Sequence, residues 1–128
     1  MATTDTATYF TLLSAKQEII LLLNEKGFLV AVLVVAILAP IYEEIIFRGI
    51  ILNSVSKYVG FKTANVIQAS LFGLIHYFLP LFPFYFVFGI VTGYLSKKTN
   101  GLLAGIIFHA INNFLTVVAL YVLHKNGG

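Results

Sequence analysis

Apolar residues run along this chain in four long stretches separated by short polar ones. The stretches cover approximately 28–53, 63–79, 82–95 and 102–123, and Lys57 and Lys62, Pro80 and Pro83, and Lys97 and Lys98 mark the breaks between them. Each stretch is near the roughly 20 residues an α-helix needs to cross a bilayer. A fifth segment, 9–26, mixes Phe10, Leu12, Leu13, Ile19, Ile20, Leu22 and Leu23 with Lys16, Gln17, Glu18 and Asn24, a pattern that fits a helix lying in the membrane interface. The pattern predicts an all-α membrane protein: a disordered tail over 1–8, an amphipathic interfacial helix over 9–26, one antiparallel core of about four transmembrane helices over 27–124, and a short tail over 125–128.

Composition narrows the class. Hydrophobic residues make up 59% of the 128 positions and charged residues only 10%, far from soluble-domain usage. The net charge of +3 comes from scattered basic residues, without the clustered stripe that nucleic-acid binding requires. Cysteine is absent, which excludes disulfides, thiolate nucleophiles and Cys-based metal sites. The Thr-rich start lacks the basic region, apolar run and small-residue cleavage site of a signal peptide. Lysines number four on the two Lys-bearing loops and three on the opposite side, which places those loops of the multi-pass chain in the cytoplasm.

Against this apolar background Glu43, Glu44 and Arg48 stand out, because 28–52 contains no other charge. A charged group at a helix centre costs roughly 2.5–3.5 kcal/mol, whereas each Leu, Ile, Val or Phe contributes only about 0.3–0.6. Glu44 and Arg48 are spaced i, i+4 and can neutralise each other, while Glu43 is turned about 100° away toward a different neighbour. A purely structural ion pair accounts for Glu44 and Arg48 but leaves Glu43 unexplained.

Spacing from the lysines ties distant polar residues together. Glu43 lies fourteen residues before Lys57 and His76 fourteen after Lys62, so at about 1.5 Å per residue each sits some 21 Å from the same membrane face. His109 and Asn113 fall eleven and fifteen residues past Lys98, about 17 and 22 Å from it. Taken singly, each has a bland explanation: His76 bonded to a carbonyl, or His109 and Asn113 bonded to each other as helix glue. Three segments that bring polar groups to one depth point instead to a site. The spacings Gly89/Gly93 and Gly101/Gly105 read as close helix packing, Pro40 as a kink, and the aromatics around 77–88 as lipid contacts.

Elimination limits the chemistry. Asp5 is the single aspartate, so a two-aspartate protease is excluded, and neither G-x-S-x-G nor H-E-x-x-H occurs. A carboxylate, two imidazoles and a carboxamide remain. A glutamate can activate water, a histidine can orient it, and His with Asn can donate to an oxyanion, which suffices for peptide hydrolysis. A His2Glu zinc site on Glu43, His76 and His109 is the alternative to metal-free catalysis. The expected geometry has Glu43 and His76 adjacent, His109 and Asn113 across a gap wide enough for a peptide carbonyl, and a pocket opening toward the lysine-bearing loops.

Glu43-Glu44-x-x-x-Arg48, Phe72-x-x-x-His76 within SLFGLIHY, and His109-x-x-x-Asn113 within AGIIFHAINN resemble, in order and spacing, the three signature motifs of the CAAX-protease and bacteriocin-processing (CPBP, or Abi) family of intramembrane endopeptidases, over about 28–123. The resemblance implies Glu43 as the water-activating base with His76 beside it, His109 and Asn113 as the oxyanion hole, and Glu44, Arg48 and Phe72 as supporting residues. It implies a membrane-embedded or lipid-associated peptide as substrate; no cofactor is expected, because Asn113 and the pairing of Arg48 suit an oxyanion site and a positioned base without zinc, and a homo-oligomer is an open expectation. Two other functions stay open: sequestration of a membrane-active peptide by a non-catalytic immunity protein of the same family, and a proton or ion pathway.

Overall fold

The computed structural model describes residues 16–76 and 78–127; most of the expected tail and interfacial segment, 1–15, lies outside them. Helices follow one another in the order α1 (Gln17–Lys26), α2 (Phe28–Val59), α3 (Phe61–Leu74), a 3-10 turn (Leu79–Leu81), α4 (Phe82–Thr99) and α5 (Leu103–Asn126), and no strand occurs among the described residues. The protein is an all-α membrane protein. Gly27 and Gly60 break the chain between α1, α2 and α3 with φ of 87° and 78°, a conformation that residues with a Cβ rarely adopt.

The expected four spans are not all long enough. Three helices have the length and apolarity to cross a membrane, Phe28–Val59, Leu79–Thr99 and Leu103–Asn126. The segment expected over 63–79 ends as a helix at Leu74, so α3 has 14 residues and covers about 21 Å. Pro80 accounts for the early end. It has no N–H and its ring crowds the carbonyl four residues back, that of His76, so the α-helix cannot run on through it; it sits in the first turn of the 3-10 helix, with Phe78 extended at φ −126°, ψ 95°. His76 is thereby placed in the turn after α3, its N–H reaching the Gly73 carbonyl at 3.4 Å.

Helix α2 is not interrupted at Pro40 and has π-helical turns before and after it, Val32–Leu38 and Ile45–Leu52. Proline lacks an N–H, and its ring crowds the carbonyl four residues back. The widened turns in front of Pro40 relieve that crowding, and the second set carries Arg48.

The chain forms two compact units, and α2 and α5 each contribute to both. In the first (1–38 and 111–128), Leu23, Ala31, Val117 and Leu120 make the core, and the rings of Phe28 and Tyr121 lie 5.0 Å apart. In the second (39–110), Phe47, Phe72, Tyr85 and Phe88 make an aromatic core.

In that second unit α3 packs along α4, and its buried face is polar. Asn65 donates to the Ile90 carbonyl at 3.1 Å, and Gln68 Nε2 donates to Asn65 Oδ1 at 2.7 Å and to the Gly89 carbonyl at 2.8 Å. Gly89 and Gly93 make room for this: a Cβ on Gly89 would stand 2.9 Å from the Ala69 Cα, and one on Gly93 would collide with Asn65 Oδ1. Gly89→Ala should therefore force α3 and α4 apart and cost about 1–3 kcal/mol, as overpacking typically does. Thermal melts in detergent check this, with Gly101→Ala as the control, since a Cβ there meets nothing nearer than the Thr99 carbonyl at 4.0 Å.

Candidate active site

The second unit brings the first and third sequence motifs together. Glu44 and Arg48, both on α2 and both wholly buried, pair at 3.0 Å between Glu44 Oε1 and Arg48 Nη1. The Arg48 guanidinium also lies over the Phe72 ring, 4.5 Å from its centroid, a cation–π contact that α3 supplies. The same Glu44 Oε1 meets His109 Nδ1 of α5 at 2.9 Å, and on the opposite side of the ring His109 Nε2 faces Glu43 Oε2 at 3.5 Å. Four ionisable side chains thus form one row, Arg48–Glu44–His109–Glu43. A carboxylate held as an anion by arginine can only accept, so the hydrogen on this side of the imidazole sits on Nδ1 and is donated to Glu44.

Burial grades along the row. Glu44 and Arg48 have side-chain exposures of 0%, His109 of 4% and Glu43 of 20%, so the row runs from a sealed end to a partly exposed one, although the Glu43 Oε2 that faces His109 is itself buried. Phe72 and Phe88 wall the His109 ring at 5.8 and 4.9 Å. Their apolar surface lowers the local dielectric and strengthens each charge contact.

Gly105 lets the sealed end close. A Cβ at this position would stand 3.0 Å from Glu44 Oε2, so only glycine lets α5 approach the carboxylate so closely. The sequence signal, Gly101 with Gly105, indicated close approach but not which group approaches. Gly105→Ala should displace Glu44 from His109 and reduce activity more than stability; comparing turnover with melting temperature checks the expectation.

His76, the motif residue of α3, belongs to the same aromatic cluster. Its Nδ1 lies 2.7 Å from the Phe72 carbonyl, to which it donates, and its ring stacks on Tyr85 at 3.7 Å and packs against Phe72 at 4.8 Å. Both imidazoles therefore flank Phe72. Asn113 belongs to the first unit, where its amide donates to the Val35 carbonyl at 2.9 Å.

One expected distance differs. His109 was placed across a carbonyl-wide gap from Glu43, yet it sits between the two glutamates, because the Arg48-bound Glu44 draws the Nδ1–H and so orients the ring toward Glu43. Sequence reasoning also gave Glu44 no contact with His109; adjacent glutamates on one helix do not reveal which of them meets a distant histidine. No group of three or more His, Cys, Asp or Glu side chains that could hold a metal ion occurs among the described residues, the set Glu43, His76 and His109 included.

Within the same unit a cavity of about 400 Å3 opens beside Asn53, Ser56, Lys97 and Asn100, on the side bearing the lysine loops. Gly49 and Leu102 border it as well, and the Glu44 carbonyl lies 3.9 Å from where a Gly49 Cβ would stand. The cavity thus reaches to within about one helical turn of the Glu44 backbone.

The type II CAAX prenyl endopeptidase Rce1-like family matches residues 25–115, a stretch that contains all three motifs and the whole charged row. The chain belongs to that family. Among its relatives, "Putative membrane peptidase YdiL" of Bacillus subtilis is 31% identical over 87 residues, which cover 68% of this chain and 36% of that protein. "Membrane-embedded CAAX protease MroQ" of Staphylococcus aureus is 28% identical over 90 residues, covering 66% of this chain and 36% of that protein. The chain thus spans little more than a third of the length of these curated relatives. No solved structure matches it significantly. Family membership, together with three helices long and apolar enough to cross a membrane, makes this chain an integral membrane protein of the CAAX-protease type.

Proposed function

We propose that this chain is an intramembrane endopeptidase that hydrolyses a peptide bond of a membrane-embedded or lipid-associated peptide, with water activated by Glu43 and no metal. The observation that carries the reading is the graded row, in which a sealed Arg48–Glu44 pair holds His109 against Glu43, the least buried side chain of the four. Glu43 takes a proton from water, and the hydroxide adds to the substrate carbonyl carbon. Nε2 of His109 receives that proton from Glu43, and the resulting Nε2–H donates to the tetrahedral oxyanion while Glu44 stabilises the imidazolium through Nδ1. The proton then passes to the amine nitrogen as the C–N bond breaks, giving a carboxylic acid and a free amine. His76, whose Nδ1–H is given to the Phe72 carbonyl, is the residue assigned here to orienting the attacking water.

The setting proposed is a cytoplasmic membrane of bacterial type, with substrate entering from the lysine-bearing side. Incubating the purified protein in detergent with a panel of membrane-associated peptides, followed by mass spectrometry, tests the reading. Defined new termini support it, and a panel left intact speaks against it.

A further inference from the structure

Gln68 is wholly buried on α3, one helical turn before Phe72, and no part of the mechanism above uses it. Its carboxamide cannot be turned over. Nε2 donates to two acceptors at once, Asn65 Oδ1 at 2.7 Å and the Gly89 carbonyl at 2.8 Å, and exchanging the oxygen and nitrogen would set three acceptors against one another. Oε1 is therefore fixed, and it is a buried acceptor with no hydrogen-bond partner of its own.

Arg48 presents the complementary problem. Its guanidinium is fully buried and carries five N–H donors, but its charged partner Glu44 meets it at Nη1 alone; Nε and Nη2 have no hydrogen-bond partner. The two groups converge on one residue. Gly89, whose carbonyl binds Gln68 Nε2, has no side chain where a Cβ would stand 3.5 Å from Arg48 Nη2. Both also adjoin Phe72, whose ring lies under the guanidinium and whose position is one turn from Gln68 on the same helix face. A buried acceptor and buried donors each cost a few kcal/mol when left apart, so bringing them together is strongly favoured.

We infer that Gln68 is a positioning residue for the charged row: its unpaired Oε1 is the acceptor available to the Arg48 donors that Glu44 leaves unsatisfied, and it fixes the orientation in which Nη1 holds Glu44 against His109. The inference rests on the endopeptidase reading for its effect on turnover, but not for its effect on His109 itself. Gln68 has two separable duties here, since Nε2 clamps α3 to α4 while Oε1 serves Arg48, and substitutions can remove one without the other.

Gln68→Met removes both, Gln68→Glu as the neutral acid keeps an acceptor at the Oε1 position with a single O–H donor in place of the amide, and Asn65→Leu damages the clamp without touching the acceptor. Two readouts are taken on the full chain in detergent: kcat and KM for a cleaved peptide, and the 15N signals of His109, which report the environment and tautomer of its ring nitrogens. Gln68→Met should lower kcat by roughly 10- to 100-fold, the range seen when an outer partner of a site residue is lost, with KM unchanged, and should move the His109 signals. Gln68→Glu should restore both toward the parent, and Asn65→Leu should lower the melting temperature while leaving both in place. Parental kcat and parental His109 signals in folded Gln68→Met would overturn the inference. If that variant does not fold, Gln68→Glu decides: a loss of kcat and displaced His109 signals would leave only the clamp. A parent that cuts no peptide would count against the endopeptidase reading alone, and the His109 signals would still judge Gln68.

Discussion

Glu43→Gln is expected to abolish peptide cleavage while leaving the protein folded. The carboxamide has nearly the shape of the carboxylate but cannot take a proton from water, and a positioned general base typically contributes about 10²- to 10⁴-fold in rate. Folding should tolerate the change. Glu43 stands at the less buried end of the row, with a fifth of its side chain exposed, and its partner His109 keeps Glu44 on its other ring nitrogen. Losing a carboxylate from apolar surroundings also relieves a desolvation cost. Turnover of a cleaved peptide and the thermal melt, measured on the same preparation, check both halves. Parental turnover in Glu43→Gln would transfer the base to another residue and dismantle the mechanism.

Arg48→Ala should act on the fold first. Glu44 would remain in a fully buried position with its cation gone, and breaking such a pair by deleting one partner typically costs about 3–5 kcal/mol. Deletion of the guanidinium also empties the space over Phe72, where it makes its cation–π contact, and beside Gly89. The expected result is low yield, aggregation or a strongly lowered melting temperature, with activity lost as a consequence. Fluorescence-detected size exclusion and thermal unfolding measure this directly. Arg48→Ala that expresses and melts like the parent would show that Glu44 does not depend on it.

How much of this the sequence revealed depended on what kind of signal each residue carried. Charge in an apolar stretch is conspicuous, so Glu43, Glu44 and Arg48 were legible at once, and counting from the lysines set His76 and His109 at comparable depths without any knowledge of the fold. Depth says nothing of azimuth, however. Which glutamate His109 meets depends on how α2 winds around Pro40, and π-helical turns before and after the 39–44 segment change the angle between successive side chains. The end of α3 at Leu74 was misplaced because the apolar run continues through 75–79, and only the local constraint of Pro80 ends the helix. Gly89 and Gly105 were read as packing glycines, which they are; what they pack against is polar, and that information lies in the partner helices.

The intrahelical pairing of Glu44 with Arg48 has a consequence for biosynthesis. Glu44 leaves the ribosome 65 residues before His109, an interval of roughly 3–13 s at ordinary elongation rates of about 5–20 residues per second. Throughout that interval α2 cannot rely on the third motif to compensate its charges. Arg48 follows Glu44 by four residues, so the nascent helix carries its own counter-ion into the bilayer. The order of synthesis thus matches the gradient of burial: the pair that ends up sealed is made together, and His109, which meets both glutamates, arrives last.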